Sequence, residues 1–316
     1  MIVKYLHQRW LNLSIWMWLA ILFALLISYG FHFLHLDDRL YYWIKTHNHA
    51  DEWQSRSVWL PGYKVNIDAR EIMGIDKGLS GLAYDPDHKL LWAVTNNPVE
   101  LFALDKEGEV QGQYRLDGFV DVEAVAYTGN DTLVIAEERL QSLTIIHLPH
   151  QEDGELLQNG WLSKSDFSSL VLDMESNGNK GYEGLDYDLK GDRLFITKER
   201  DPMQIIEVSD FQKNLNLGLF PEIHNHSELV DSNLFSRDLS SIVLDQETGH
   251  LILLSDESQL LIEMTDKGEV VSFRSLSMGF AGLKSSIRQA EGVTLDEEGN
   301  LFVVSEPNLF YRFERP

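Results

Sequence analysis

The 316-residue chain is long enough for one large domain or two small ones, and its 44% apolar content suits a protein that buries a core. Its 50 acidic against 26 basic residues give a formal net charge of -24, a surface that repels phosphate backbones, so no nucleic acid is expected as a partner. There is no cysteine, which excludes disulfides, thiolate nucleophiles and cysteine-ligated metal centres and fits an oxidising compartment.

The first element is an apolar span. No Asp, Glu, Lys or Arg occurs from Trp10 to Leu36, and the run is densest from Ile15 to Ile27. About 20 mostly apolar residues suffice to cross about 30 Å of hydrocarbon. Trp10, Trp16, Trp18 and Tyr29 suit the two interfaces. Lys4 and Arg9 precede the span and Asp37 and Asp38 follow it, which keeps the N-terminus inside and exports the C-terminal bulk. A cleaved signal peptide is the alternative. The run exceeds a usual signal core, and Ser28-Tyr-Gly-Phe-His-Phe33 lacks a clear small-x-small cleavage site. The expected organisation is a cytoplasmic N-terminus (1–9), an anchor (10–36), a juxtamembrane linker (37–60) and one domain (61–316).

Tyr63-Lys-Val-Asn-Ile67 alternates as a strand does. From Leu79 onward the chain repeats. Five segments align: Leu79-Ser-Gly-Leu-Ala-Tyr84, Val122-Glu-Ala-Val-Ala-Tyr127, Tyr182-Glu-Gly-Leu-Asp-Tyr187, Leu239-Ser-Ser-Ile-Val-Leu244 and Ala290-Glu-Gly-Val-Thr-Leu295. Each runs into a turn of Asp, Asn, Pro or Gly, such as Asp85-Pro-Asp-His88. An unbroken apolar strand follows, Leu90-Leu-Trp-Ala-Val94 in the first copy and Leu301-Phe-Val-Val304 in the last. Lack of alternation there means that both faces are buried. A polar patch and a third strand come next, for example Leu260-Leu-Ile-Glu-Met264, and Asp105-Lys-Glu-Gly-Glu-Val110 and Asp266-Lys-Gly-Glu-Val270 open a fourth.

A four-stranded meander recurring every 43 to 60 residues is the pattern of a β-propeller. The last copy stops after its third strand, near Phe310-Tyr-Arg-Phe313, so the strand at 63–67 is expected to complete that blade and close the ring. The fold expected is all-β, with five visible four-stranded blades behind one transmembrane helix. The long spacings from Glu123 to Glu183 and from Glu183 to Ser240 leave room for insertions or a sixth blade, and 161–174 reads as one insertion, with helix as an option.

Position two of each repeat reads Ser80, Glu123, Glu183, Ser240 and Glu291. The first strand of a propeller blade lines the channel, so these side chains should converge on one axis. A second polar set follows the second strands: Asn96-Asn97, Glu137-Glu138-Arg139, Lys198-Glu199-Arg200, Asp256-Glu257 and Glu306. Glutamates brought together repel unless their pKa values rise, a basic residue pairs with them or a cation binds. Arg139, Lys198 and Arg200 are the candidate partners, and calcium is the candidate cation, since it takes carboxylate and amide oxygens. Glu123, Glu183 and Glu291 are the expected metal ligands. Asn96, Asn97, Glu138, Arg139, Lys198, Glu199, Arg200, Asp256 and Glu306 are the expected ligand-binding set. In the competing reading these groups only bond backbone amides between blades.

Other signals are weaker. Asp173-x-Glu175-x-Asn177-Gly178 opens like a calcium loop but has Gly184 where a Glu is required, and reads as a turn. Gly78 to Leu82 is not a nucleophile elbow, because the last Gly is misplaced. His224-x-His226 reads as part of a solvated loop. No Gly-rich phosphate loop precedes a helix.

Taken together, Leu79-Ser-Gly-Leu82, Thr95-Asn-Asn-Pro98, Ala136-Glu-Glu-Arg139, Asn177-Gly-Asn-Lys-Gly-Tyr-Glu-Gly184, Lys198-Glu-Arg-Asp-Pro202, Leu254-Ser-Asp-Glu-Ser258, Gln289-Ala-Glu-Gly-Val293 and Ser305-Glu-Pro-Asn-Leu-Phe310 resemble the SdiA-regulated family of bacterial propellers over about residues 62–316. The resemblance implies a propeller behind an N-terminal membrane segment and, through the family's name, a regulatory link to a quorum-sensing transcription factor. More remotely the repeats look like those of NHL-type propellers and of calcium-dependent propeller phytases and lactonases, an analogy of fold. The location expected is the bacterial inner membrane, single-pass, with the C-terminal domain in the periplasm. The function expected is a module binding a small ligand or periplasmic protein, with a calcium site in the channel. A calcium-dependent hydrolase of phosphoesters or lactones, and an inert spacer, are the alternatives.

Overall fold

The structure, a computed structural model, describes residues 15–33, 36–152, 155–172 and 181–316. Its β-strands form five sheets. Blade 1 runs outward from Leu79–Asp85 through Leu90–Asn96 and Val99–Leu104 to Val110–Asp117. Blade 2 starts at Val122–Gly129, blade 3 at Tyr182–Asp188, blade 4 at Ser241–Leu244 and blade 5 at Ala290–Leu295. These inner strands touch one another in cyclic order, blade 5 meeting blade 1. Closure is by Lys64–Glu71, the outermost strand of blade 5, which pairs antiparallel with Leu309–Glu314 from Lys64–Glu314 to Glu71–Leu309. The fourth strand absent from the last repeat thus comes from the start of the domain, as its sequence implies.

There is one apolar cluster at each blade interface, which explains the unbroken apolar runs. Trp92, Val94 and Leu101 of blade 1 pack on Val125, Leu133 and Ile135 of blade 2. Equivalent clusters join blades 2 and 3, 3 and 4, 4 and 5, and 5 and 1. Each sheet buries both faces, so alternation is suppressed.

The sixth blade is not realised among the described residues. In the first long spacing, Asn159–Ser163 adds in parallel to the edge of blade 1, and Ser168–Val171 is the outer strand of blade 2. The described part of the 161–174 insertion is therefore mostly strand, its helical part being one 3-10 turn at Lys164–Asp166. Sheet edges with unpaired amides and carbonyls capture these short β-prone segments. In the second spacing lie two short helices, Phe211–Asn216 and Ser227–Asn233, and Glu222–Asn225, the edge strand of blade 3. His224 therefore stands in a strand rather than a loop, and His226 just beyond it meets Glu207 at 3.2 Å. The motif from Asp173 to Gly178 and the charged residues Lys4 and Arg9 lie outside the described residues.

Close approach of the inner strands requires glycine. A Cβ on Gly184 would lie 2.7 Å from Ser241 Cα and 2.9 Å from Ile242 N, backbone atoms of the next blade that cannot step aside. Gly184→Ala is expected to cost about 1–3 kcal/mol through overpacking, read as a lower denaturant midpoint. Unchanged stability would mean that these strands are not in such contact.

Among the described residues three α-helices precede the propeller, two of them long and the third a single turn, Ala50–Trp53. Helix α1 (Ile15–Phe33) is apolar and largely exposed. By length and composition it can cross a membrane or serve as a signal sequence. Helix α2 (Leu36–Asn48) begins on the last residue read as anchor, occupies the first part of the stretch read as a linker and packs on the outer strand of blade 4, Val270–Ser275. Its Tyr42 is fully buried, and the hydroxyl accepts a hydrogen bond from the Phe235 amide at 2.9 Å. Farther along, the buried Glu263 carboxylate accepts the amides of Val58 and Trp59 at 2.9 and 3.0 Å and fixes the approach to the closing strand.

Candidate functional site

In four of the five repeats position two sits in a bulge. Pairing between the first and second strands skips from Leu79 to Leu82, Val122 to Ala124, Tyr182 to Gly184 and Ala290 to Gly292. A bulge leaves the extra residue out of the ladder and re-aims its side chain. Ser80 accordingly reaches the next blade and donates to Glu123 at 2.8 Å. Asn96 Nδ2 donates to the same carboxylate at 3.2 Å.

Asp121, Glu123 and Glu138 form a compact group at the ring, each offering an oxygen within 4.8 Å of the others. Asp121 pairs with Arg139 at 2.8 Å, and its carbonyl accepts the Glu138 amide at 2.9 Å. Burial pushes Glu123 up to about 7; the bonds from Ser80 and Asn96 oppose the rise, and the charges of Asp121 and Glu138 add to it. Glu138 is raised by burial and by Asp121, against the pull of the Gly181 amide and Arg139. Glu183 is held well above the carboxylate range by burial and then by the charges of Glu123, Glu138 and Glu291. Burial, with Asp256, Glu123 and Glu306, pushes Glu291 up to about 8. The three glutamates singled out in the sequence thus act on one another although they lie far apart along the chain.

The second polar set divides. Glu138 Oε1 accepts the Gly181 amide of blade 3 at 3.1 Å, and Asp256 accepts the Ala290 amide of blade 5 at 3.1 Å. Stitching of blades through amides is therefore observed, beside the crowding of carboxylates. The Glu199 carbonyl accepts the Leu239 amide at 3.1 Å, the backbone version of the same stitch. Arg200 pairs with Glu199 and, at 2.6 Å, with Glu257. Lys198 is buried, with its Nζ 3.5 Å from the Asp201 carbonyl. Glu306 meets the Gln289 amide group at 3.5 Å, and Asn97 is exposed.

Sequence reasoning missed Asp121 and Asp238. Both stand two residues before position two, where the repeats read Gly78, Asp121, Gly181, Asp238 and Gln289. Extending the alignment upstream by two residues is the signal that finds them. Buried Asp238 takes the Ser240 and Ser255 hydroxyls and the amides of Asp256 and Glu257. Asp186 was also missed; it lines a cavity of about 630 Å³ with Tyr84, Tyr127 and Tyr187 at the far ends of the inner strands.

Five radial sheets around an acidic mouth define a five-bladed β-propeller. Residues 55–314 match the family described as SdiA-regulated, and the chain belongs to that family. Among solved structures it is similar to a gluconolactonase of Xanthomonas campestris, at 12% identity and a TM-score of 0.45, over 80% of this chain and 97% of that one. It is also similar to an inactive virginiamycin B lyase of Staphylococcus aureus crystallised with quinupristin, at 13% identity and a TM-score of 0.41, over 77% of this chain and 68% of that one. A third is a protein of unknown function from Bacteroides thetaiotaomicron, at 12% identity and a TM-score of 0.45, over 78% and 56%. Likeness this distant concerns the fold alone.

Proposed function

We propose that this protein is a binding module anchored by α1 in the bacterial inner membrane, with its propeller in the periplasm and a divalent cation, calcium, at the acidic mouth of the channel. The grouping of Asp121, Glu123 and Glu138 within 4.8 Å carries the reading. Arg139 is the basic group that pairs there, through Asp121, and more than half of its side chain is exposed. Among the described residues, three carboxylates against one such pairing cation leave negative charge that a divalent ion would neutralise. A set made of oxygens suits a hard cation. Glu183 and Glu291 stand close enough to feel that charge and would complete the surroundings of the ion. The bound ion would present a positive centre to a small anionic ligand or an acidic segment of a periplasmic protein. Titration calorimetry on chelator-treated full-length protein tests the cation. Heat of binding with calcium is expected, and no heat with calcium, magnesium or manganese would overturn the reading.

A second reading, a calcium-dependent hydrolase of phosphoesters or lactones, draws on Glu123, whose carboxyl at about 7 is poised for proton transfer. It requires calcium-dependent turnover that Glu183→Gln abolishes with folding intact. Absence of turnover on both substrate classes would leave the binding module.

A further inference from the structure

We infer that the groove between the end of α1, α2 and the outer strand of blade 4 holds an acyl chain of a bilayer phospholipid. The inference rests on α1 being a retained anchor. The groove encloses about 630 Å³ and is walled by Phe31 of α1, Leu40 and Trp43 of α2, and Trp59, Phe273 and Phe280. That volume lies within the range of small-molecule sites, and an apolar lining of this extent in water is a mark of an unfilled partner.

The position of the groove selects the partner. One wall is the last part of the helix that would cross the membrane, so the groove opens where the chain leaves the bilayer. On α2, Tyr42 turns into the propeller core, while Leu40, Trp43 and Ile44 stay about half exposed. A helix with one face on protein and an apolar, Trp-bearing face outward suits the headgroup boundary. Arg39 supplies the complement for a phosphate. Its guanidinium lies 5.0 Å from the Phe280 ring and donates to Ser277, and its buried Nε has no hydrogen-bond partner. A phospholipid with its tail in the groove would bring a phosphate to that edge.

The same attachment orients the propeller. Arg237 donates to the His32 carbonyl at 3.3 Å and pairs with Asp38 at 3.5 Å. Its neighbour Asp238 holds the amides of Asp256 and Glu257. The anchor therefore joins blade 4 on the rim that carries the carboxylates, and the groove lies on the membrane side together with the acidic mouth.

The test uses full-length protein purified in mild detergent, exchanged with phosphatidylethanolamine and phosphatidylglycerol, and weighed intact. Wild type is expected to retain one phospholipid. Ala50→Trp, which fills the groove from the short helix Ala50–Trp53, and Leu40→Arg should each cut retention about tenfold, the equivalent of roughly two buried methylenes. Retention in both variants equal to that of wild type, no retained lipid in wild type, or a dimer that covers the groove would overturn the inference. Failure of the anchor reads differently: a mass lacking the N-terminal segment, or release from membranes by alkaline extraction, would refute the retained span itself.

Discussion

Saturating calcium is expected to raise the melting temperature of chelator-treated protein, and Glu138→Gln combined with Asp121→Asn to abolish the rise. A ligand that binds only the folded state stabilises it by about 2.7 kcal/mol at a hundred times its dissociation constant. For a domain of this size each kcal/mol moves the midpoint by about 2–4 °C, so the shift should be roughly 5–10 °C. The substitutions are chosen to spare the fold. Gln at 138 keeps an oxygen for the Gly181 amide, and Asn at 121 leaves the backbone bond to Glu138 in place. Both remove charge from the cluster that would hold the ion. Glu107→Gln is the control, because that exposed carboxylate pairs with Arg312 outside the ring. A double variant that responds to calcium as fully as wild type would place the ion elsewhere. A wild type indifferent to every divalent cation would reduce the cluster to its stitching bonds.

Much of the fold was legible because each blade repeats the same local solution. The unbroken strand around Trp92 and the turn after Asp85 say in sequence what the sheet does in space, since burial on both faces and special turn dihedrals both select residue types. Closure by Lys64–Glu71 was legible for a similar reason, as the last repeat lacked one strand. The region from 159 to 171 was not. Its segments become strands only because blades 1 and 2 offer unpaired edges, which is tertiary information. The site divides along the same line. Glu123, Glu183 and Glu291 stand at one repeat position, so their convergence followed from the fold. Asp121 joins them from a loop, with a left-handed backbone at φ +57°, and only its sequence distance from Glu123 pointed to it. The stitch from Glu138 to Gly181 depends on how adjacent blades approach, which one repeat read alone does not contain.

Without a cation, the stability of wild type relative to Glu291→Gln should fall as pH rises from about 5 to 8. The carboxyls of Glu291 and Glu123 sit at about 8 and about 7 in the folded chain, against an ordinary value of 4.5. The folded state therefore binds their protons more tightly than the unfolded state does. That stabilisation is complete below the unfolded value and is lost as pH climbs through the folded values. Taken singly, rises of that size correspond to about 3 kcal/mol for Glu123 and about 5 kcal/mol for Glu291, and because these carboxyls titrate together their shares do not add, so a smaller difference is expected from one substitution. Gln at 291 is a neutral isostere at every pH. The variant should match wild type near pH 5 and exceed it by about 1–3 kcal/mol at pH 8 in chelator. The difference between the two proteins is the quantity to follow, since the remaining carboxylates of this acidic chain titrate in both. Bound calcium should shrink that difference, because it supplies the positive charge that lets the ring ionise. If Glu291→Gln is no more stable than wild type at pH 8 in chelator, Glu291 is already ionised and compensated, and the ring has no need of an ion.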